Sequence, residues 1–191
     1  MRNMRTVVWP VVFVSLLFAL GNGASLRSQQ LQDACDKLSF PVEVEQLLAA
    51  KFPSWRVLRI GDLADPHDRE LWLKGNPKEC PGIAAGHFES KAHVSYAALL
   101  IPRDLGRPGY RLVVVTTDRK GQYRAVVLEK SDNPIPRAEV VYRVPPGKYF
   151  DAQRLRSVQL ALDGIQKERM EAGATLYYWK GGQYHRLIVS E

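Results

Sequence analysis

Three side chains of types that bind transition metals, His87, Glu89 and His93, fall within seven residues of one another. Imidazole pairs suit zinc or copper, and a carboxylate can complete a set of three ligands. In a hairpin around residues 89–92, the two histidines would face each other across two strands. The alternative is a polar loop whose histidines contact the backbone or water. Both interpretations stay open at this point.

Nucleophilic catalysis is not indicated by any local pattern. A serine or cysteine nucleophile needs a neighbouring base, and the sequence contains no Gly-x-Ser-x-Gly motif. His67 and His185 have no sequence neighbour that marks either one as a base. We therefore assign no catalytic, metal-binding or cofactor-binding residue, and we expect no cofactor.

The C-terminal residues predict a β-hairpin with one aromatic side. Gly181 and Gly182 supply a two-residue turn, so the strands would pair with alternating side chains on opposite faces. The set expected to face the core is Leu176, Tyr178, His185 and Leu187. The opposite set is Tyr177, Trp179, Tyr184 and Arg186. This second set is a candidate interaction surface for a sugar, a peptide or a partner loop, although cross-strand stabilisation alone would also explain it.

Residues 1–25 have the features of a signal peptide. Arg2 and Arg5 precede an apolar run of 15 residues at 6–20, and small residues follow at 21–25. The run is shorter than the roughly 20 residues that a spanning helix needs, and it has the length of a signal sequence core. An uncleaved anchor is the alternative. We expect a secreted or periplasmic protein whose residues 26–191 form one domain.

Export changes the interpretation of the two cysteines. In an oxidising compartment, an even pair of cysteines usually forms a structural bridge. A bond between Cys35 and Cys80 would close a loop of about 45 residues and contribute roughly 4 kcal/mol in the chain-entropy model. Two separately buried thiols are the alternative.

The composition is that of a globular protein with a basic surface. The chain is 46% hydrophobic and 25% charged, which argues against disorder and against a polytopic membrane protein. Removal of Arg2 and Arg5 lowers the net charge from +7 to +5. The basic residues are scattered among acids, whereas nucleic-acid binders concentrate charge beside stacking aromatics. We expect no nucleic-acid partner, and a solvated surface with at most weak attraction to acidic lipids or polysaccharides.

Periodicity divides the chain into helices followed by strands. Helical spacing relates Leu31 to Leu38 and Val44 to Leu48, and Asp65 followed by Pro66 is typical of a helix start. From Ile83 onward, alternation and turn residues predict strands, including 96–101, 112–117 and 124–128. The expected fold class is α+β, with N-terminal helices packed on a mostly antiparallel β-sheet meander.

Three phrases resemble those of uncharacterised secreted bacterial proteins. They are FPSWR at 52–56, ECPGIAAGHF at 79–88 and LYYWKGGQY at 176–184. The second phrase, together with residues 96–100, is also similar to the FG-GAP/VCBS motif. The resemblance departs at residues 89–93, where ESKAH replaces the calcium-binding Asp/Asn/Gly ladder, so neither a calcium site nor a propeller is implied.

These observations favour an exported, non-catalytic binding or interaction protein. Its partner would be an unknown envelope or secreted component, and we expect a monomer without a stable membrane span after processing. The alternative is an envelope hydrolase or metal-dependent enzyme with a site around His87, Glu89 and His93.

Overall fold

The computed structural model describes residues 34–37, 40–118, 120–133 and 137–190. The predicted signal peptide lies outside these residues, as do Leu31 and Leu38 of the predicted first helix. Within the described part there are two α-helices of ten residues, α1 (Val42–Lys51) and α2 (Pro66–Gly75), and a short helical segment at 34–37. No helix in that part is both long enough and apolar enough to cross a bilayer.

The start of α2 follows from its first three residues. Pro66 occupies the first helical turn, where its missing N–H is not needed. The Asp65 carboxylate accepts a hydrogen bond from the backbone N–H of His67 at 2.8 Å, as an N-cap residue does. The helix start predicted at Asp65 and Pro66 is therefore confirmed.

The first sheet is antiparallel and centred on two long buried strands. Its members are β1 (Trp55–Val57), β2 (Ile83–Gly86), β3 (Ser95–Pro102), β4 (Tyr110–Thr117) and β5 (Tyr123–Ser131). β1 and β2 share one edge of β3: Val57 pairs with Leu100, and Ile83 pairs with Ala98. β3, β4 and β5 follow as a meander, which confirms the three strands predicted for this region.

The second sheet is also antiparallel, and it comes from the C-terminal part of the chain. In spatial order its strands are β11 (Gln183–Ser190), β10 (Gly173–Lys180), β9 (Gly164–Arg169) and β6 (Glu139–Val144). Between β6 and β9 the chain forms a separate two-stranded hairpin, β7 (Gly147–Asp151) and β8 (Arg156–Leu160). Because β11 comes first in the spatial order, it is an edge strand of the second sheet.

The two sheets face each other across the main core. Residues that meet between them include Leu99, Leu112 and Val114 from the first sheet and Val141, Ile165 and Tyr177 from the second. α1 covers the other face of the first sheet, where Val44 and Leu48 pack against Leu100 and Val113. The β7–β8 hairpin covers the other face of the second sheet, where Leu160 packs against Leu176 and Leu187.

The predicted α+β class is therefore wrong, because the described fold is mostly β with several antiparallel sheets. Helical spacing in the N-terminal part was a real signal, but α1 is only ten residues long and covers one face of one sheet. The second sheet packs against the opposite face of the first sheet. Alternation along a strand shows that a face is buried, but it does not show whether a helix or a sheet buries it.

Cys35 and Cys80 form a disulfide bond, with 4.5 Å between their Cα atoms. Both residues are buried, Cys80 completely. The bond joins the helical segment at 34–37 to the turn that precedes β2, across a sequence separation of 45. The predicted bridge is confirmed, and the alternative of two separate thiols is excluded.

Candidate functional site

The C-terminal hairpin has the register that its turn predicts. Trp179 pairs with Tyr184, and Tyr177 pairs with Arg186. Gly181 and Gly182 have φ angles of +61° and +83°, which suit a two-residue hairpin turn and are disfavoured for other residues. The turn therefore fixes which side chains share a face.

One face of this hairpin belongs to the core, as predicted. Leu176, Tyr178 and Leu187 are buried beneath the β7–β8 hairpin. His185 stacks on Tyr178 with 5.5 Å between the ring centroids. This confirms the division of the hairpin into two sets and the assignment of Leu176, Tyr178 and Leu187 to the core, whereas His185 is only half-buried at its margin.

The second set does not form one continuous surface, because Tyr177 lies between the sheets. Tyr177 is 4% exposed, and its hydroxyl donates a hydrogen bond to the Glu129 carboxylate of β5. Burial, and then the hydrogen bond to Glu129, raise the pKa of Tyr177. Tyr177 therefore adds no exposed area to the predicted interaction surface.

Trp179, which is partly exposed, and Arg186, which is exposed, remain as members of that set that a ligand can contact. The Trp179 ring is partly exposed and meets the Tyr184 ring edge to face, with centroids 5.0 Å apart. Among the described residues, none accepts a hydrogen bond from the Trp179 indole or forms an ion pair with the exposed Arg186. On a shared face, the two residues are diagonal neighbours, with roughly 7–8 Å between such positions.

Tyr184 supports Trp179 from a more enclosed position. Its hydroxyl is buried, and burial followed by the nearby Glu89 charge raises the pKa of Tyr184. Glu89 itself forms an ion pair with Arg124 of β5 at 2.8 Å, and its side chain is only 10% exposed. The first sheet therefore holds Tyr184, and through it Trp179, in a defined place.

His87, Glu89 and His93 are not arranged as three ligands around one point. Glu89 is bound to Arg124, while the His87 ring lies with its Nδ1 3.2 Å from the backbone carbonyl oxygen of His93. The backbone N–H of His87 donates to Asp163 at 2.8 Å. Within the described residues, no group of three or more histidines, cysteines or carboxylates is placed to hold a metal ion.

A cleft of about 470 Å³ lies beside α2, and it offers a different set of acids. It is lined in part by Trp72, Tyr142, Glu168 and Glu171. At its floor the Tyr142 hydroxyl donates to Glu168 and accepts a hydrogen bond from the Gln166 amide. The described residues that line the cleft include no histidine, serine or cysteine. The one imidazole beside its carboxylates in the described part of the chain is that of the exposed His67, whose Nε2 lies 3.6 Å from Glu171.

A charged network that the sequence analysis missed crosses the interior between the sheets. Lys167 of β9 donates hydrogen bonds to Glu129 and to the Tyr110 hydroxyl, each at 2.8 Å. Tyr110 and Tyr177 both donate to the Glu129 carboxylate. Glu139 is a further member, with an oxygen 3.8 Å from the Lys167 ammonium. Five side chains from five strands thus connect the two sheets.

The pKa shifts in this network show which charges the fold stabilises. Burial acts to raise the pKa of Glu129, but hydrogen bonds from Lys167, Tyr110 and Tyr177 outweigh it and hold that pKa below its usual range. Burial acts to lower the pKa of Lys167, but its bonds to Glu129 and Tyr110 raise it overall. Burial and the bond to Glu129 raise the pKa of Tyr110 to about 12. Glu129 and Lys167 are consequently a charged pair at neutral pH.

Glu139 is the member of the network whose negative charge is disfavoured by burial. Burial is the largest influence and raises its pKa, and its Oε2 atom has no hydrogen-bond partner in the described part of the chain. The sequence contains a signal for Lys167, because this residue lies two positions from Ile165 and therefore shares the core-facing side of β9.

We expect Glu139→Gln to stabilise the protein by about 1 kcal/mol at pH 8, because it removes a buried carboxylate that lacks a hydrogen bond. The gain should disappear near pH 4. At low pH the Glu139 carboxyl is protonated in the folded state, and the charge that opposes its burial is absent. As the pH rises through the unfolded and then the folded pKa of this carboxyl, the parent protein loses stability and the advantage of the Gln variant appears. Urea unfolding at the two pH values measures the difference.

The exposed Glu70 of α2 provides a matched control. Glu70→Gln should leave the free energy of unfolding unchanged within about 0.5 kcal/mol at both pH values. A Glu139→Gln variant that is less stable than the parent at pH 8 would show that attraction to Lys167 outweighs the cost of burial.

No protein-family model, no curated protein and no solved structure matches the chain. What the fold and the site define is a disulfide-linked β-sandwich with a partly exposed tryptophan on β10 and an exposed arginine on the neighbouring edge strand β11. The similarity to uncharacterised secreted bacterial proteins and to the FG-GAP/VCBS motif stays a prediction.

Proposed function

We propose that the protein is an exported, non-catalytic binding module and that Trp179 and Arg186 form the centre of its contact surface. The observation that carries the proposal is that Trp179 is partly exposed and Arg186 is exposed on the C-terminal hairpin, while within the described residues neither polar group forms a hydrogen bond or an ion pair. Export is supported by the signal-like sequence at 1–25 and by the Cys35–Cys80 bond, since disulfides persist in oxidising compartments.

The geometry around Trp179 suits recognition because the aromatic ring is already positioned. Tyr184 contacts the indole and is itself enclosed beside Glu89 and Arg124. A ring that is held in place before binding loses little conformational freedom when a ligand arrives. Tryptophan, tyrosine and arginine are also the residue types that dominate binding energies at interfaces.

The same pair defines the chemistry of the ligand. An indole face offers contact to a sugar ring or to an apolar side chain, and the neighbouring guanidinium offers paired hydrogen bonds to a carboxylate. A ligand that carries both groups, such as an acidic saccharide or an acidic peptide with an apolar residue, fits better than a neutral one. Envelope and secreted components include both classes.

The metal-dependent alternative is not proposed, because the carboxylate it requires is committed elsewhere. Glu89 is paired with Arg124 and lies beside the Tyr184 hydroxyl, and His87 is engaged with the His93 backbone. Recruiting these three side chains to one ion would break the contacts that place Tyr184 and Trp179.

Titration of the isotope-labelled protein with oligogalacturonates is expected to shift the indole N–H signal of Trp179. The Trp72 indole is an internal control, because it is 2% exposed and donates to the Glu79 carbonyl oxygen at 3.2 Å. Neutral malto-oligosaccharides test the ring contact alone, and a short polyglutamate tests the charge alone. Trp179→Ala should weaken binding of the preferred probe by about 2 kcal/mol or more.

The hairpin would be excluded as the contact surface by either of two results. One is a probe that binds and shifts other signals while the indole N–H signal of Trp179 does not shift. The other is unchanged affinity in a Trp179→Ala variant whose thermal unfolding matches that of the parent protein.

A further inference from the structure

We propose that the tip of the β7–β8 hairpin docks on an anionic lipid bilayer, with Phe150 and Leu155 entering the headgroup region and nearby cations contacting lipid phosphates. This inference goes beyond the proposed function, because it uses residues on the outer face of the second sheet and none of those around Trp179.

The hairpin displays two large apolar side chains to solvent. Leu155 is 78% exposed and Phe150 is 53% exposed. Leu155 is the most exposed of the large apolar side chains in the described part of the chain, and Phe150 lies five positions before it at the end of β7. Phe150 pairs with Ser157 next to the turn, and Leu155 lies in the turn itself. Neither belongs to a hydrophobic cluster of the described residues.

The backbone at Leu155 is also unusual. Its φ angle is +51°, in the left-handed region that glycine and asparagine adopt more readily than leucine. A leucine in this conformation costs stability, and its exposed side chain returns none of that cost through packing. Unfavourable backbone conformations of this kind often occur at functional positions.

The rest of the hairpin is firmly attached, so the tip projects from a rigid base. Tyr149 and Val158 pack against the outer face of the second sheet, and the Ala152 N–H donates to the Ile188 carbonyl oxygen of β11 at 2.8 Å. Asp151 is 1% exposed and receives the Arg154 backbone N–H at 3.3 Å. The exposed side chains are therefore presented in a fixed arrangement.

The accessible charges of the hairpin have one sign. Lys148, Arg154 and Arg156 are exposed, whereas Asp151, the single carboxylate of residues 147–160, is buried and lies 3.6 Å from Arg154. Cations beside exposed apolar groups match the surface of an anionic bilayer, where attraction to lipid headgroups adds to burial of the apolar groups.

The size of the apolar tip favours a bilayer over a folded protein partner. Two partly exposed side chains present on the order of 200 Å², whereas a stable protein interface buries about 800 Å² on each partner. A bilayer accepts a small convex tip without a complementary pocket. Attachment through such a tip is reversible and depends on salt.

Vesicle sedimentation with the protein that lacks the predicted signal peptide at 1–25 tests this inference. We expect binding to vesicles that mix phosphatidylglycerol with phosphatidylcholine, little binding to phosphatidylcholine alone, and weaker binding as salt is added. The double variant Phe150→Ser, Leu155→Asn should bind at least about tenfold more weakly. Asparagine tolerates the left-handed backbone, so this change at Leu155 should not lower the unfolding temperature.

Two further variants separate insertion of the hairpin tip into the bilayer from the effect of replacing any exposed apolar side chain. Leu105→Asn is the matched control, because Leu105 is 48% exposed and lies in the β3–β4 loop of the other sheet; it should bind like the parent. Phe150→Trp should show a blue shift of its emission and quenching by brominated lipids when anionic vesicles are added.

Several outcomes would overturn the inference. They are no binding to anionic vesicles, binding that the double variant retains, or a Phe150→Trp emission that does not change when the protein is bound. Equal, Leu155-dependent binding to soluble polyglutamate would indicate an acidic polypeptide partner instead of a bilayer. Trp179→Ala should leave vesicle binding unchanged, so a failure here is distinct from a failure of the proposed binding surface.

Discussion

Lys167→Met is expected to lower the free energy of unfolding at pH 7 by about 3 kcal/mol or more. The substitution leaves the Glu129 carboxylate between the two sheets without its cation, and that side chain is only 23% exposed. Hydrogen bonds from Tyr110 and Tyr177 would remain, but they do not neutralise the charge. Urea denaturation monitored by circular dichroism provides the measurement.

Two comparisons show whether the loss comes from the buried charge. Lys130→Met removes an exposed lysine from β5 and should change stability by no more than about 0.5 kcal/mol. Adding Glu129→Gln to Lys167→Met should recover part of the loss, because residues in one network interact by roughly 0.5–3 kcal/mol. A double variant as unstable as the sum of its single changes would argue that the two charges are energetically independent.

Cys35→Ser and Cys80→Ser should each destabilise the oxidised protein by roughly 2–5 kcal/mol. The bond closes a loop of 45 residues and restricts the unfolded chain, and both residues are buried in the folded protein. The double variant should be no less stable than the less stable of the two single variants, since each single change already removes the whole bridge.

Thiol titration of the unfolded, unreduced protein gives an independent test of the bridge. Each single variant should show one reactive thiol, and the parent should show none. Two reactive thiols in the parent would mean that the pair is not oxidised in the isolated protein, and the predicted loss of stability would then not occur.

Local chemistry made several features predictable from the sequence. Two adjacent glycines determined the register of the C-terminal hairpin, because a two-residue turn leaves a single pairing of the flanking strands. Asp65 and Pro66 indicated where α2 begins. The cysteine pair was predictable from its even number and from the compartment that the N-terminal residues suggest.

The packing of one sheet on another was not predictable from these signals. Tyr177 shows why: its side chain points to the face opposite that of its neighbour Leu176, and alternation alone therefore predicts a surface position for it. Both faces of β10 are covered here, one by the β7–β8 hairpin and the other by the first sheet, and Tyr177 therefore faces Glu129 of the first sheet. The partners Glu129 and Lys167 are 38 positions apart, and no local pattern brings them together.

The division of the chain between the sheets has a consequence for folding. Every strand of the first sheet lies within residues 55–131, and every strand of the second lies within 139–190. Strand pairing therefore takes place inside each half. Most paired strands follow one another in sequence, so the loops to be closed are short and their entropic cost is low, while longer closures join β1 to β3 and β6 to β9. We expect the two halves to form as separate cooperative units, and the Lys167–Glu129 contact to mark the later step in which they dock.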